Sequence, residues 1–139
     1  MEYRKFAKKK FGLHMISMPI LWAPLPFIII LDIIVEIYHH SCFPIYGIEK
    51  VRRRDYIRII DRGKLKYLTP FQKLGCMYCG YVNGSAAYLV EIAGRTEKYW
   101  CGIMHEKKTG MKIHNHHIKN NFIKFGDEKG FNKKYPKDK

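Results

Sequence analysis

Seventeen consecutive residues without a formal charge, Met15 to Leu31, constrain this chain more than any other feature, and the run closes on Ile28, Ile29, Ile30 and Leu31. A bilayer core about 30 Å thick is crossed by roughly 20 apolar residues in a helix. In a chain of 139 residues, little protein is left to cover such a segment on every side, which disfavours a buried core helix. A cleaved signal peptide is disfavoured too, because the run leads into Glu36, Tyr38, His39 and His40 and not into a small-residue cleavage site. Residues 15–40 therefore read as a membrane segment. Pro19, Pro24 and Pro26 each remove a backbone donor, predicting a break between Pro19 and Pro26. Either a straight crossing from near Pro26 or a re-entrant helix-break-helix satisfies that pattern.

Charge divides the rest of the chain. The formal net charge of +14 is concentrated in residues 1–14, 39–74 and 106–139, while 15–38 and 75–105 are almost neutral. The layout predicts a basic N-terminal segment 1–14, the membrane segment 15–40, a basic juxtamembrane linker 41–74, a small helical domain 75–125 and a basic flexible tail 126–139. A hydrophobic fraction of 47% is too high for a disordered basic tail as a whole. Lys50, Arg52, Arg53, Arg54 and Arg58 follow the apolar segment closely and suit anionic lipid headgroups, at about 1 kcal/mol per charge near the surface. Nucleic acid is a poorer match, because no RRM, KH, OB or helix-turn-helix signature accompanies these charges. Partial alternation in Tyr56–Ile60 and Lys64–Leu68 around Asp61-Arg62-Gly63 predicts a short β-hairpin in the linker. Lys/Arg counts on the two flanks of the membrane segment are equal, so orientation rests on the thiols: four cysteines, three of them beyond residue 75, favour a reducing cytosol for residues 39–139.

The chemistry-bearing residues lie in the second neutral stretch. Gly75-Cys76-Met77-Tyr78-Cys79-Gly80 has the form of a metal knuckle, in which a tight turn brings two thiolates to one ion. A helix is expected from Asn83 or Ser85 toward His105, placing Cys101 and His105 four residues apart on one face. Cys76, Cys79, Cys101 and His105 would complete a tetrahedral Cys3His shell for Zn2+, with an iron-sulfur cluster as the alternative. Glu97, one turn before Cys101, could orient His105 from behind the shell or form solvated pairs with Arg95 and Lys98. A Cys101–His105 nucleophile pair lacks an evident third orienting group, so the chain leans away from an enzyme.

Two weaker constellations accompany this one. Asp32, Glu36 and His39 or His40 share a helical face, and Glu36-x-x-His39 has the spacing of one di-iron half-motif, but the chain lacks the second half. His114, His116 and His117 form a histidine-rich tract able to take a transition metal or to lie as a solvated loop.

The pattern Cys76-Met-Tyr-Cys79-Gly-Tyr-Val-Asn83-Gly, followed by Arg95-Thr96-Glu97-Lys-Tyr99-Trp100-Cys101-Gly-Ile-Met-His105, resembles a family of small uncharacterised bacterial membrane proteins. That resemblance extends over most of the chain and implies membrane association in a bacterium, without an activity. The expectation is thus a mainly α protein at the bacterial inner membrane, with a cytosolic zinc-bound domain acting as a non-catalytic scaffold for a protein partner. A membrane metalloenzyme or iron-sulfur redox protein is the alternative.

Overall fold

A computed structural model describes residues 11–136, so most of the basic N-terminal segment 1–14 and the last three residues of the tail lie outside the described residues. Among the described residues five α-helices follow one another: α1 Phe11–Trp22, α2 Leu25–Tyr46, α3 Pro70–Trp100, α4 Asn115–Lys119 and α5 Glu128–Lys134. The chain divides into two compact units, Met1–Ile37 and Tyr38–Lys139.

The first unit carries the apolar run. Gly12–Tyr46 forms a helix long and apolar enough to cross a membrane, with only 6% of its most apolar window covered by protein. Ile16, Ile20, Phe27, Ile30 and Ile33 are all more than half exposed, as suits a helix that is apolar all round and faces lipid. At about 1.5 Å per residue its 35 residues extend roughly 50 Å, well beyond the hydrocarbon thickness. The expected break is a local one at Ala23–Pro24. Pro24 and Pro26 cannot donate to the carbonyls four residues back, yet the bonds from Ala23 N–H to Pro19 O and from Ile28 N–H to Pro24 O, 2.9 and 3.0 Å, carry the helical path across the interruption.

The second unit is organised by α3. Thr69 caps its start by accepting from the Gln72 N–H, the Gln72 side chain returns the bond to the Thr69 N–H, and Pro70 occupies the first turn. Gly84, Ser85, Tyr88 and Ile92 form its buried stripe at helical spacing, and Gly94 is buried on another face. Glycines on α3 are points of close approach. A Cβ on Gly80 would lie 2.6 Å from the Arg58 carbonyl oxygen, and one on Gly84 would lie 2.8 Å from the Tyr56 oxygen and the Ile57 Cα. The segment 56–59 therefore packs its backbone directly onto α3, a use of glycine that offsets its poor helix propensity. The predicted hairpin does not form: Tyr56, with helical backbone angles, ends the 3-10 turn Arg53–Asp55, residues 57–59 have no regular secondary structure, Asp61–Lys64 is a second 3-10 turn, and among the described residues the only β pairing is the isolated bridge Ile103–Ile123. With its backbone pressed on a helix, the segment has no strand partner to recruit.

Phe43 and Val51 are buried with Tyr88 and meet it through His39, whose ring lies edge-on to both Phe43 and Tyr88 and accepts from the Val51 N–H, and Arg53 stands 5.7 Å above the Tyr88 ring. The segment expected to be a flexible tail contains α5, capped by Asp127, whose carboxylate accepts from the Gly130 N–H at 2.9 Å.

Candidate metal centre

The Cys3His shell does not assemble. Cys76 and Cys79 sit in the first third of the uninterrupted α3, and Cys101 caps its far end. At about 1.5 Å per residue, the 22 residues from Cys79 to Cys101 span roughly 33 Å, so no single ion or cluster reaches both. Asn83, expected as a helix start, is in mid-helix with its side-chain amide donating to the Cys79 carbonyl at 2.9 Å. Nor do Cys101 and His105 share a helical face: Gly102, at φ +61°, closes the helix, its N–H and that of Cys101 both donating to the Glu97 carbonyl.

His105 instead turns back toward Glu97, and a different set of residues meets there. His116 Nε2 lies 2.7 Å from Glu97 Oε2, His117 Nε2 lies 3.0 Å from Glu97 Oε1, and His105 Nε2 is 4.0 Å from the same Oε1. The ligand atoms of Glu97, His116 and His117 all fall within 4.8 Å of one another, close enough to share one ion. His114 stacks on His116 with ring centroids 5.4 Å apart.

Four local features build this arrangement. The bridge of Met104 N–H to Ile123 O and Ile123 N–H to Gly102 O, 2.8 and 2.9 Å, pins the loop after α3 to the segment after α4. Asn121, at φ +53°, turns the chain out of α4 so that buried Phe122 stacks on His117 at 4.6 Å. Gly94 lets α4 approach: a Cβ there would stand 3.0–3.1 Å from the His116 ring. The carboxylate of Glu91 accepts from Arg95 on its own helix and from Lys119 at the end of α4, at 3.0 and 3.1 Å, tying the two helices together.

The surroundings of Glu97 hold its carboxylate in the charged form. Burial alone would raise the Glu97 pKa, but hydrogen bonds from His116 and His117 outweigh it and hold the carboxyl below its usual range. An ionised carboxylate faced by two imidazole nitrogens presents the oxygen and nitrogen donors that Zn2+ and related first-row ions accept. His117 is 2% exposed, so its ring is held by packing before any ion arrives.

The other sequence candidates are placed differently. Asp32, Glu36, His39 and His40 lie along α2, but His39 is a core residue, 1% exposed. The Val51 N–H donates to its Nε2 at 2.9 Å, which puts the ring proton on Nδ1, facing the Tyr88 hydroxyl at 3.0 Å. Both nitrogens are engaged, and His39 serves packing in the second unit. Of the basic stretch, Lys50, Arg52, Arg54 and Arg58 are exposed, Arg52 pairing with Asp55 at 3.1 Å, while Arg53 covers Tyr88. The histidine tract and Glu97 were each legible in sequence; their meeting was not, since nothing in the spacing of residues 97 and 116 announces contact. No family model matches the chain, and neither a curated protein nor a solved structure shows detectable similarity to it, so the site is read from its geometry.

Proposed function

We propose that this chain is a membrane-anchored protein whose second unit holds one divalent transition-metal ion, zinc before others, on Glu97, His116 and His117, and that it serves as a non-catalytic scaffold. The observation that carries the reading is the convergence of His116 Nε2 and His117 Nε2 on the two oxygens of one ionised carboxylate. The ion would tie the far end of α3 to α4, and so fasten a C-terminal region that has little core of its own. In this reading the protein lies in a bacterial inner membrane with residues 39–139 in the cytosol. Exposed Lys50, Arg52, Arg54 and Arg58 meet anionic headgroups, and the basic surface receives a protein partner.

The test is zinc titration of the full-length protein in detergent, with metal content measured after dialysis. One equivalent is expected. Replacing His116 and His117 together by Ala should weaken binding at least tenfold, in line with the loss of two ligands. The triple variant Cys76→Ser, Cys79→Ser, Cys101→Ser should keep full stoichiometry. Retention by the histidine variant, or loss by the cysteine variant, overturns the assignment.

A further inference from the structure

The histidine cluster does not end in solvent on all sides. His105, His114 and His117 form one wall of a cavity of about 460 Å³, a size common for small-molecule sites. Its remaining walls combine two chemistries. Met111, Ile113 and Phe125 bring apolar surface that is 43%, 45% and 61% exposed, while Lys107, Lys112 and Lys124 bring positive charge. Three apolar side chains left this open around one concavity are uneconomical unless something covers them, and Glu106 alone opposes the three lysines in the lining.

The position of the cluster decides how an occupant would be held. His117 belongs both to the cluster and to the cavity lining, so an ion on Glu97, His116 and His117 borders the cavity. Three protein ligands leave a tetrahedral ion one position open. His105, whose Nε2 is 4.0 Å from Glu97 and whose side chain is 60% exposed, lies beside the cluster and lines the cavity.

Resting on the metal assignment above, we propose that the fourth position is taken by the carboxylate of a small organic acid. Its oxygen binds the ion, the lysines neutralise the remaining charge, and its apolar body lies against Met111, Ile113 and Phe125. Inorganic phosphate or acetate would satisfy the charge but leave the apolar wall open. The scaffold then carries a ligand at its metal, and occupancy of that ligand would set how firmly the 104–114 loop is held.

The experiment uses the full-length protein in nonionic detergent with Co2+ in place of zinc, because the visible bands of cobalt report its coordination shell. Addition of benzoate should shift the bands saturably, with an affinity at least tenfold above that of acetate and of inorganic phosphate. Phe125→Ala and Lys124→Ala should each weaken benzoate severalfold while leaving cobalt stoichiometry at one. Cobalt bands that benzoate leaves unmoved overturn this inference and spare the metal site. Phosphate binding as tight as benzoate overturns the organic-acid class. Absence of cobalt binding overturns both readings together.

Discussion

Single residues decide whether the centre exists, and the telling one carries no side chain. Gly94 is the point at which the His116 ring meets α3, with a Cβ position only 3.0–3.1 Å from three ring and side-chain atoms. Gly94→Val should therefore displace His116 from Glu97 and weaken zinc binding by about tenfold or more, although the substitution removes a glycine that costs up to about 1 kcal/mol in a helix interior. Isothermal titration against the unaltered protein checks this; unchanged affinity would mean that His116 is not held by that contact. His39 offers the opposite lesson. Its neighbours Glu36 and His40 suggest a ligand, but the Val51 N–H and the Tyr88 hydroxyl use both of its nitrogens for packing.

At the level of elements, α3 is the ruler on which everything else is measured. Its start was written in the sequence as Thr69-Pro70-Phe71-Gln72, a capping box with proline in the first turn. Gly75, Gly80 and Gly84 outweigh that signal when the sequence is read alone, because glycine ordinarily marks a turn. Gly80 and Gly84 are in fact spent on contact with the 56–59 backbone. The tie between α3 and α4 has its own pH signature. Burial would raise the Glu91 pKa, but hydrogen bonds from Lys119 and Arg95 outweigh it and leave the group below its ordinary value. A lowered carboxyl stabilises the fold fully above the unfolded-state value, about 4.3, and its contribution is lost as pH falls through the folded value. The Tyr56 hydroxyl also faces this carboxylate, and its own pKa is raised, by burial first and then by the Glu91 charge. Glu91→Gln should lower stability near neutral pH by about 1.5–3 kcal/mol, the range for hydrogen bonds to charged groups, and should flatten the acid limb of the stability curve. Urea melts at a series of pH values measure both effects; an unchanged acid limb would show that the pair is solvated.

For the whole molecule, the prediction is location. Gly12–Tyr46 is long and apolar enough to span a bilayer, and only 6% of its apolar window is buried. Alkaline carbonate should leave the protein in the membrane pellet; release into the supernatant would reject insertion. Cys79 and Cys101 are exposed and serve as topology probes. If the second unit faces the cytosol, a membrane-impermeant maleimide should label them only after the cells are opened. Labelling in intact cells would reverse the orientation.

The sequence by itself determined the helix long and apolar enough to cross a membrane, the mainly helical class and the identity of the residues able to ligate. Those properties depend on composition and on periodicity over a few turns, and a local pattern carries both: Pro24 and Pro26 marked the interruption, and the absence of charge from Met15 to Leu31 marked the span. Only the tertiary structure decided which ligands meet. Cys76, Cys79, Cys101 and His105 look like one shell because spacing along the chain was read as proximity, but a continuous helix converts 22 residues into about 33 Å of separation. Glu97 and His116, 19 residues apart, come to 2.7 Å because Gly94 admits α4 and the Ile103–Ile123 bridge folds the intervening loop back. Helix periodicity is local and legible, whereas the return of a loop depends on contacts between segments that are not neighbours in the chain.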